Sequence, residues 1–524
     1  MSHRSSEDDH GTANEQGTAN KQGTAQRKDW LGLSVLVIPI LLVSMDISVL
    51  YLALPAVVAD LEPSSNQTLW ILDLYGFFLA GLLITMGSVG DRIGRRRLLM
   101  IGALVFGAAS LIAAFSTSPE MLLVARALLG VGGATIAPST LSLIRNMFHD
   151  PAQRKEAIGF WTAGFAGGGA IGPVIGGFLL EHFWWGSVFL VNIPVMVVLL
   201  IAAPLLVPEF KDPQPGRFDP VSVVLSVAAM LSIVYAIKHG AQDGFDGTTI
   251  TTAVAGLILG FFFVLRQRRG TDPLIDISLF TERAFTAAVL VQFLVIFALT
   301  GFSLFASQYL QLIVGLGPLA AGLWLLIPAV AAAAGAVFSP SLSKIIPTGT
   351  IIAGGLLLIA AGSLTLHFVG ADSGIPLMIV GMSLITLGVG AASTLNSDIV
   401  LTAAAPEKAG AASALSETGA ELGGAVGIAI LGTIGTTVYR HGVQGSLPLD
   451  TPPEVAGPAS ETIGGGMAVA DYLPPPFADA LRDLAASSFV DGLNLAAVWS
   501  AVLMAVSSVV IYLLFRGRTT TTKS

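Results

Sequence analysis

Gly87-Ser-Val-Gly90-Asp91-Arg92-Ile-Gly94-Arg95-Arg96-Arg97 stands between two long apolar stretches, and its reading decides how the rest of the chain is understood. Glycines at 87, 90 and 94 suit a tight turn between closely packed helix ends. Asp91 can accept from the neighbouring arginines or sit at a helix N-terminus, where the aligned backbone dipoles favour an anion. The stretches on either side, 69–90 and 98–116, have the ~20 apolar residues that a helix needs to cross a hydrocarbon core of about 30 Å.

Windows of the same kind recur along the chain. They lie near 31–57, 121–144, 157–180, 187–207, 219–237, 249–265, 285–314, 319–340, 350–368, 375–402, 409–435 and 491–515, which makes fourteen spans with the first two. Of 524 residues, 53% are hydrophobic and 11% charged, against roughly 25% charged in a soluble domain, so no water-soluble fold could hide this much apolar surface. The expectation is an all-α polytopic membrane protein. The segment from Leu31 runs too long for a cleaved signal peptide and is a first span.

Basic residues are retained on the cytoplasmic side of short loops. With the N-terminus inside, 22 of the 26 Lys and Arg fall in cytoplasmic segments; Lys238, Arg440 and Arg482 fall outside, and Arg126 lies within span 4. Both termini are therefore expected in the cytoplasm. Residues 1–29, polar and holding a six-residue near-repeat, read as a disordered tail, and 516–524 as a second tail. The long outer segment 436–490 is rich in Pro and Gly. Its amphipathic run from Phe477 to Ala485 is expected to form a short helix or hairpin capping the outer mouth.

With no cysteine and seven scattered His, neither disulfides, thiolate chemistry nor a metal site is expected. The chemistry must come from carboxylates, Arg and aromatic residues. Asp46 lies near the middle of span 1, Asp73 toward the outer end of span 2, and Glu417 with Glu421 in span 13. Asp398, near the cytoplasmic end of span 12, stays ambiguous. Arg126, in Arg126-Ala-Leu-Leu-Gly130-Val-Gly132-Gly133, puts a guanidinium in the apolar region, where it needs a carboxylate or carbonyl partner. Glu417 and Glu421 lie about 40° apart around their helix, while Gly419, Gly423 and Gly427 mark the opposite side. One face is carboxylate and the other a packing seam. In span 5, Gly164, Gly168, Gly172 and Gly176 make a smooth stripe, with Gly177 beside it and a bend at Pro173, so a partner helix can approach backbone to backbone.

These motifs carry a resemblance. The loop between spans 2 and 3 resembles the GxLaDrxGrkxxl signature of the major facilitator superfamily, here Gly87, Asp91, Arg92, Gly94 and Arg95. Arg126 with its glycines resembles the superfamily's RxxxGxG motif, whose Arg is implied to sit beside the proton-carrying acid. Gly168, Gly172, Pro173 and Gly176 resemble the GxxxGPxxGG antiporter motif of its exporters. Met45-Asp46 through Pro55 resembles the lDxTxxxxALP segment of the fourteen-span drug:proton antiporter-2 branch. The likeness covers nearly all of 30–516, including Trp184-Trp185 to Pro194 and Ser413 to Gly423.

The resemblance implies two six-helix bundles, 30–207 and 285–515, with two inserted spans in 208–284. It implies a secondary transporter, not an enzyme, without cofactors and driven by the proton gradient. Partners would be protons, membrane lipids and lipophilic cationic small molecules, with no nucleic acid, and the chain would act as a monomer in the cell membrane. Proton coupling is expected of Asp46, Arg126, Glu421 and Glu417, and substrate binding of Asp46, Asp73, Glu417, Glu421, Tyr51, Trp70 and Trp161. Proton and cation would compete for the same carboxylates. Span 10 lacks the acid that goes with good handling of divalent cations, and Ser416 replaces one acid of a pair in span 13, so monovalent cations fit better. A nutrient symporter, a lipid or lipid-conjugate flippase and a non-transporting scaffold or sensor are the competing readings. The span 5 glycines argue against the first, and four buried acids are costly in the last.

Overall fold

In a computed structural model, residues 25–211, 219–242, 246–270, 277–403, 409–447 and 452–515 are described, and among them there is no strand. In chain order the first bundle is α1 (Arg27–Leu61), α2 (Ser65–Ile93), α3 (Arg95–Ala114), α4 (Pro119–Met147), α5 (Pro151–His182) and α6 (Ser187–Leu206). Next come α7 (Pro220–Gln242) and α8 (Gly247–Arg269). The second bundle is α9 (Arg283–Gln308), α10 (Pro318–Leu342), α11 (Thr348–Leu366), α12 (Gly374–Ala403) and α13 (Ala409–Ser446), then the short α14 (Pro453–Glu461) and α15 (Ile463–Ala470), and finally α16 (Pro475–Phe515). Among the described residues, thirteen helices are long and apolar enough to cross a membrane, fourteen when the two pieces of α2, bent by 51°, count as one.

The expected spans find their helices, with two differences in extent. The tail expected over 1–29 lies outside the described residues up to 24, and α1 already begins at Arg27: Gln26 and Asp29 cap it reciprocally. The amphipathic run from Phe477 is not a separate element. Nothing between 477 and 491 breaks a helix, so it forms the first turns of α16, with Ala478, Leu481 and Ala485 buried. The capping hairpin is made instead by α14 and α15. Tyr439 of α13 donates to the carbonyls of Ala459 and Thr462 at 2.8 and 3.1 Å.

One buried apolar cluster is built almost wholly from α1–α6 and a second from α9–α13 and α16. Leu304 and Ile428 join the first, and Leu52 joins the second, where the halves meet. Two glycine seams repeat in these halves. A Cβ on Gly168 would strike the Leu41 carbonyl of α1, and Gly172 faces Met45 and Ser48. In the second half, Gly423 and Gly427 of α13 meet the Phe293 and Phe297 carbonyls of α9 in the same way. The partner of the α5 stripe is thus the helix that carries Asp46.

The inserted pair is not equivalent on its two members. Phe77 of α2 packs with Val234 of α7 and with Ala425 and Ala429 of α13, so α7 covers a seam between the halves. In α8 only 11% of the apolar window is buried, which leaves it on the lipid-facing periphery. The pair is closed at both ends. Arg266 of α8 donates to Asp219 at 2.7 and 3.0 Å, and this pairing holds the Asp219 carboxyl at about 2, well below the usual carboxylate range. At the other end Asp246 accepts from the Thr249 backbone at 2.7 Å and contacts His239 at 3.3 Å; the Thr249 N–H above all holds Asp246 near 2 as well.

Candidate functional site: a buried ion pair beside the junction of two bundles

At the end of the molecule that carries the loop 87–97, the motif end, Asp91 accepts from Arg95 Nε at 2.9 Å. The Arg95 side chain folds back over Gly90, where a Cβ would lie 2.9 Å from its Cδ. Gly94 has φ +111°, which favours glycine, and a Cβ there would also meet Glu209 at 2.6 Å. Glu209, just after α6, accepts from Arg96 N at 2.9 Å, and Phe210 O accepts from Arg95 N at 2.8 Å. The motif therefore clamps the exit of α6 onto the start of α3. Gly87 and Arg92 belong to the last turns of α2.

At mid-depth the first bundle holds a buried ion pair. Arg126 (1% exposed) donates from a terminal guanidinium nitrogen to Asp46 Oδ2 (Asp46 6% exposed). Its Nε donates to Ile71 O at 2.9 Å and its second terminal nitrogen to Leu72 O at 3.5 Å. The guanidinium carbon lies 4.8 Å from the centre of the Tyr75 ring. Arg126 was expected to need a carboxylate or a carbonyl, and it has both. Asp73 is buried on the next position of the same α2 turn.

The second bundle contributes Glu417 and Glu421, both half-buried on α13. A Cβ on Gly76 of α2 would lie 3.1 Å from Glu421 Oε2, so the absence of a side chain there admits the carboxylate to the junction of the halves. Tyr75 lies within electrostatic reach of Asp46, Arg126 and Glu421, and Tyr51 within reach of Asp73, Arg126 and Glu421. Asp46, Asp73, Arg126, Tyr51 and Glu421 thus form one group, with Glu417 one turn farther along α13.

Two expected aromatic residues are elsewhere. The Trp70 ring turns to the inserted span, 6.3 Å from the Tyr235 ring and 5.9 Å from Phe77. Trp161 donates to Thr140 Oγ1 at 3.0 Å and stacks on Phe165. It stands eleven residues before Gly172, the α5 residue level with Met45, hence ~16 Å along the helix from the ion pair. Asp398 is exposed near the motif-end terminus of α12.

The halves are tied at the opposite, hairpin end by residues that sequence reasoning passed over. Pro55 has no N–H to give to the carbonyl of Tyr51 four residues earlier. Ser307 of α9 supplies the donor, Oγ to Tyr51 O at 2.7 Å. Gln311 lies in a π-helical turn, Tyr309–Ile313, and donates to Leu52 O at 3.1 Å and to Ser307 Oγ at 3.0 Å. Ser65 of α2 donates to Glu461 of α14, which also accepts from Arg440 at 3.1 Å. Close backbone contacts join α5 to α10, Gly177 against Pro318 and Leu319, and Gly322 against the Pro173 carbonyl. Pro55 was the one signal in the sequence: a proline inside a span leaves a carbonyl to be satisfied.

Two bundles of membrane-length helices, one holding a buried carboxylate–guanidinium pair close to where the two meet, define a multi-pass membrane transporter and not an enzyme. The chain belongs to the Major Facilitator Superfamily, whose sequence profile matches residues 36–428. It is 45% identical over 487 residues to the multidrug efflux pump LfrA of Mycolicibacterium smegmatis, covering 93% of this chain and 96% of that protein. It is 36% identical to the methyl viologen resistance protein SmvA of Salmonella typhimurium, covering 88% and 93%. With the tetracenomycin C resistance and export protein of Streptomyces glaucescens it shares 30% over 93% and 91%. Among solved structures, a bacterial homologue of the human lysosomal transporter Spinster superposes with TM-score 0.65, covering 94% of this chain and 98% of that one at 17% identity, which bears on the fold alone.

Proposed function

We propose that the protein exports lipophilic monovalent organic cations, quaternary ammonium compounds and dyes among them, in exchange for protons. The observation that carries this reading is the buried Asp46–Arg126 pair resting on Tyr75 of α2, with Glu421 of the other bundle brought to the same stretch of α2 at Gly76. A proton or an organic cation arriving at Asp46 must take the carboxylate from Arg126, so the two compete and cannot be bound there together. The export activities in the names of the 45% and 30% identical relatives support the direction.

In this reading the motif end, with its clustered arginines, faces the cytoplasm, and both termini lie there. The halves are then closed toward the outside by the Ser307, Gln311 and Glu461 contacts. Opening on that side and closing at the motif end alternates access to the acids, and the glycine seams let α5 and α13 slide on α1 and α9. Partners are protons, cationic small molecules and the surrounding lipids; the chain acts as a monomer and needs no cofactor.

Ethidium transport in everted vesicles energised by a pH gradient tests the proposal. Uptake that collapses with a protonophore and disappears in Asp46→Asn is the expected result. Ethidium uptake indifferent to the pH gradient removes proton coupling, and transport of a fluorescent lipid without ethidium transfers the protein to the flippase reading.

A further inference from the structure

If Asp46 gives up its charge to a proton, or turns it toward a bound cation, Arg126 is left as a buried cation without its carboxylate, a costly arrangement in an apolar interior. Its remaining partners all come from one stretch of α2: the carbonyls of Ile71 and Leu72 and the face of the Tyr75 ring. Asp46 belongs to α1 and stands apart from that group. The ring is itself held firmly. Its hydroxyl donates to Val43 O of α1 at 3.1 Å, one turn from Asp46. Two glycines of α4 stand against this residue: a Cβ on Gly133 would lie 3.2 Å from the Tyr75 hydroxyl, and one on Gly130 would lie 2.5 Å from the Tyr75 carbonyl oxygen. The glycines that follow Arg126 in the sequence thus let α4 approach the turn of α2 whose aromatic ring Arg126 rests on.

We infer that Tyr75 is a positioning residue of the exchange cycle, whose π face keeps Arg126 seated on α2 while Asp46 is neutralised by a proton or engaged by a cationic substrate. This rests on the antiport reading above and adds to it how the carboxylate can be released without displacing the arginine. The charged groups facing Tyr75 are Asp46 from α1, Arg126 from α4 and Glu421 from α13. A ring over a desolvated cation stabilises it through the ring quadrupole. Loss of that face makes both released states of Arg126 harder to reach: ethidium binds more weakly at alkaline pH, and at ethidium concentrations well below its Kd the pH at which protons displace it falls.

The experiment measures ethidium binding to the purified full-length protein as a function of pH. Tyr75→Phe retains the ring and is expected to keep the wild-type pH midpoint. Tyr75→Leu moves the midpoint toward acid by about one unit, tenfold in proton concentration. Because Leu could also compromise folding, phenylalanines carrying one and then three ring fluorines are introduced at position 75. These weaken the quadrupole at nearly constant shape, and the midpoint is expected to move stepwise toward acid. An unchanged midpoint across the fluorinated series, or an equal shift in Tyr75→Phe, overturns the inference. If the wild-type protein binds no ethidium, or binds it independently of pH, the antiport reading itself fails, an outcome distinct from the first two.

Discussion

The closure at the hairpin end yields the sharpest quantitative expectation. Ser307 and Gln311 reach from α9 to two carbonyls of α1, Tyr51 and Leu52, and Tyr51 O lacks its usual helical donor because of Pro55. These bonds exist only while the halves are closed here; once they part, water takes the place of the donors. In the double variant Ser307→Ala, Gln311→Ala, the closed form keeps a buried Tyr51 carbonyl without its side-chain donor, whereas the open form is unaffected. With a net ~0.5–1.5 kcal/mol for each bond, the equilibrium moves toward the form open at the hairpin end by about 1–3 kcal/mol, or ~5- to 150-fold. The chain has no cysteine to remove, so spin labels at Phe115→Cys and Tyr472→Cys, both exposed on opposite halves at this end, report the separation directly. Pulsed electron-spin distance measurements should show a longer population that grows in the double variant. Identical distance distributions with and without Ser307 and Gln311 would refute the reasoning.

Three further outcomes follow from the packing and the charges. Gly168→Val forces a branched side chain onto the Leu41 carbonyl and is expected to lower ethidium efflux at least tenfold at normal expression, whereas Gly167→Ala, with open space around it, leaves efflux intact; drug-loaded cells read both. Gly76→Val pushes the Glu421 carboxylate out of the junction and should abolish pH-gradient-driven uptake in everted vesicles while the protein still elutes as a folded species. The low value of Asp219 means that its pairing with Arg266 contributes fully above the ordinary carboxylate value of about 4 and is lost as pH falls toward 2. The hydrogen-exchange protection factors of α7, corrected for the pH dependence of intrinsic exchange, should therefore be equal at pH 8 and pH 5 and smaller at pH 3, and Asp219→Asn should remove most of that difference.

The membrane helices were legible because the bilayer imposes a length, and a run of apolar residues can be counted against it. The glycine seams were legible too, since four-residue spacing leaves a bare strip whatever the partner turns out to be. The partner itself was not: that α5 lies on the Asp46 helix depends on how six helices are arranged, which no local period encodes. Arg126 announced its need for an acceptor, yet Asp46, Ile71 and Leu72 are separated from it by 80, 55 and 54 positions. The neighbours of Trp70 were hidden for the same reason. That its ring lies beside Tyr235 depends on α7, which packs against the first bundle from a distant part of the chain. Serine and glutamine in a span look ordinary, and only the proline on the facing helix indicated that Ser307 has a carbonyl to serve.

The two helices placed between the bundles also obey a rule of parity. Each crossing reverses the side of the membrane on which the chain emerges, so α7 and α8 together return it to the side from which it left α6. A single added helix would have turned the second bundle upside down and carried Glu421 away from the depth of Gly76. Helices can therefore be gained or lost at this junction only in even numbers. The inner helix of such a pair becomes bound into the seam while the outer one stays free to vary with the lipid.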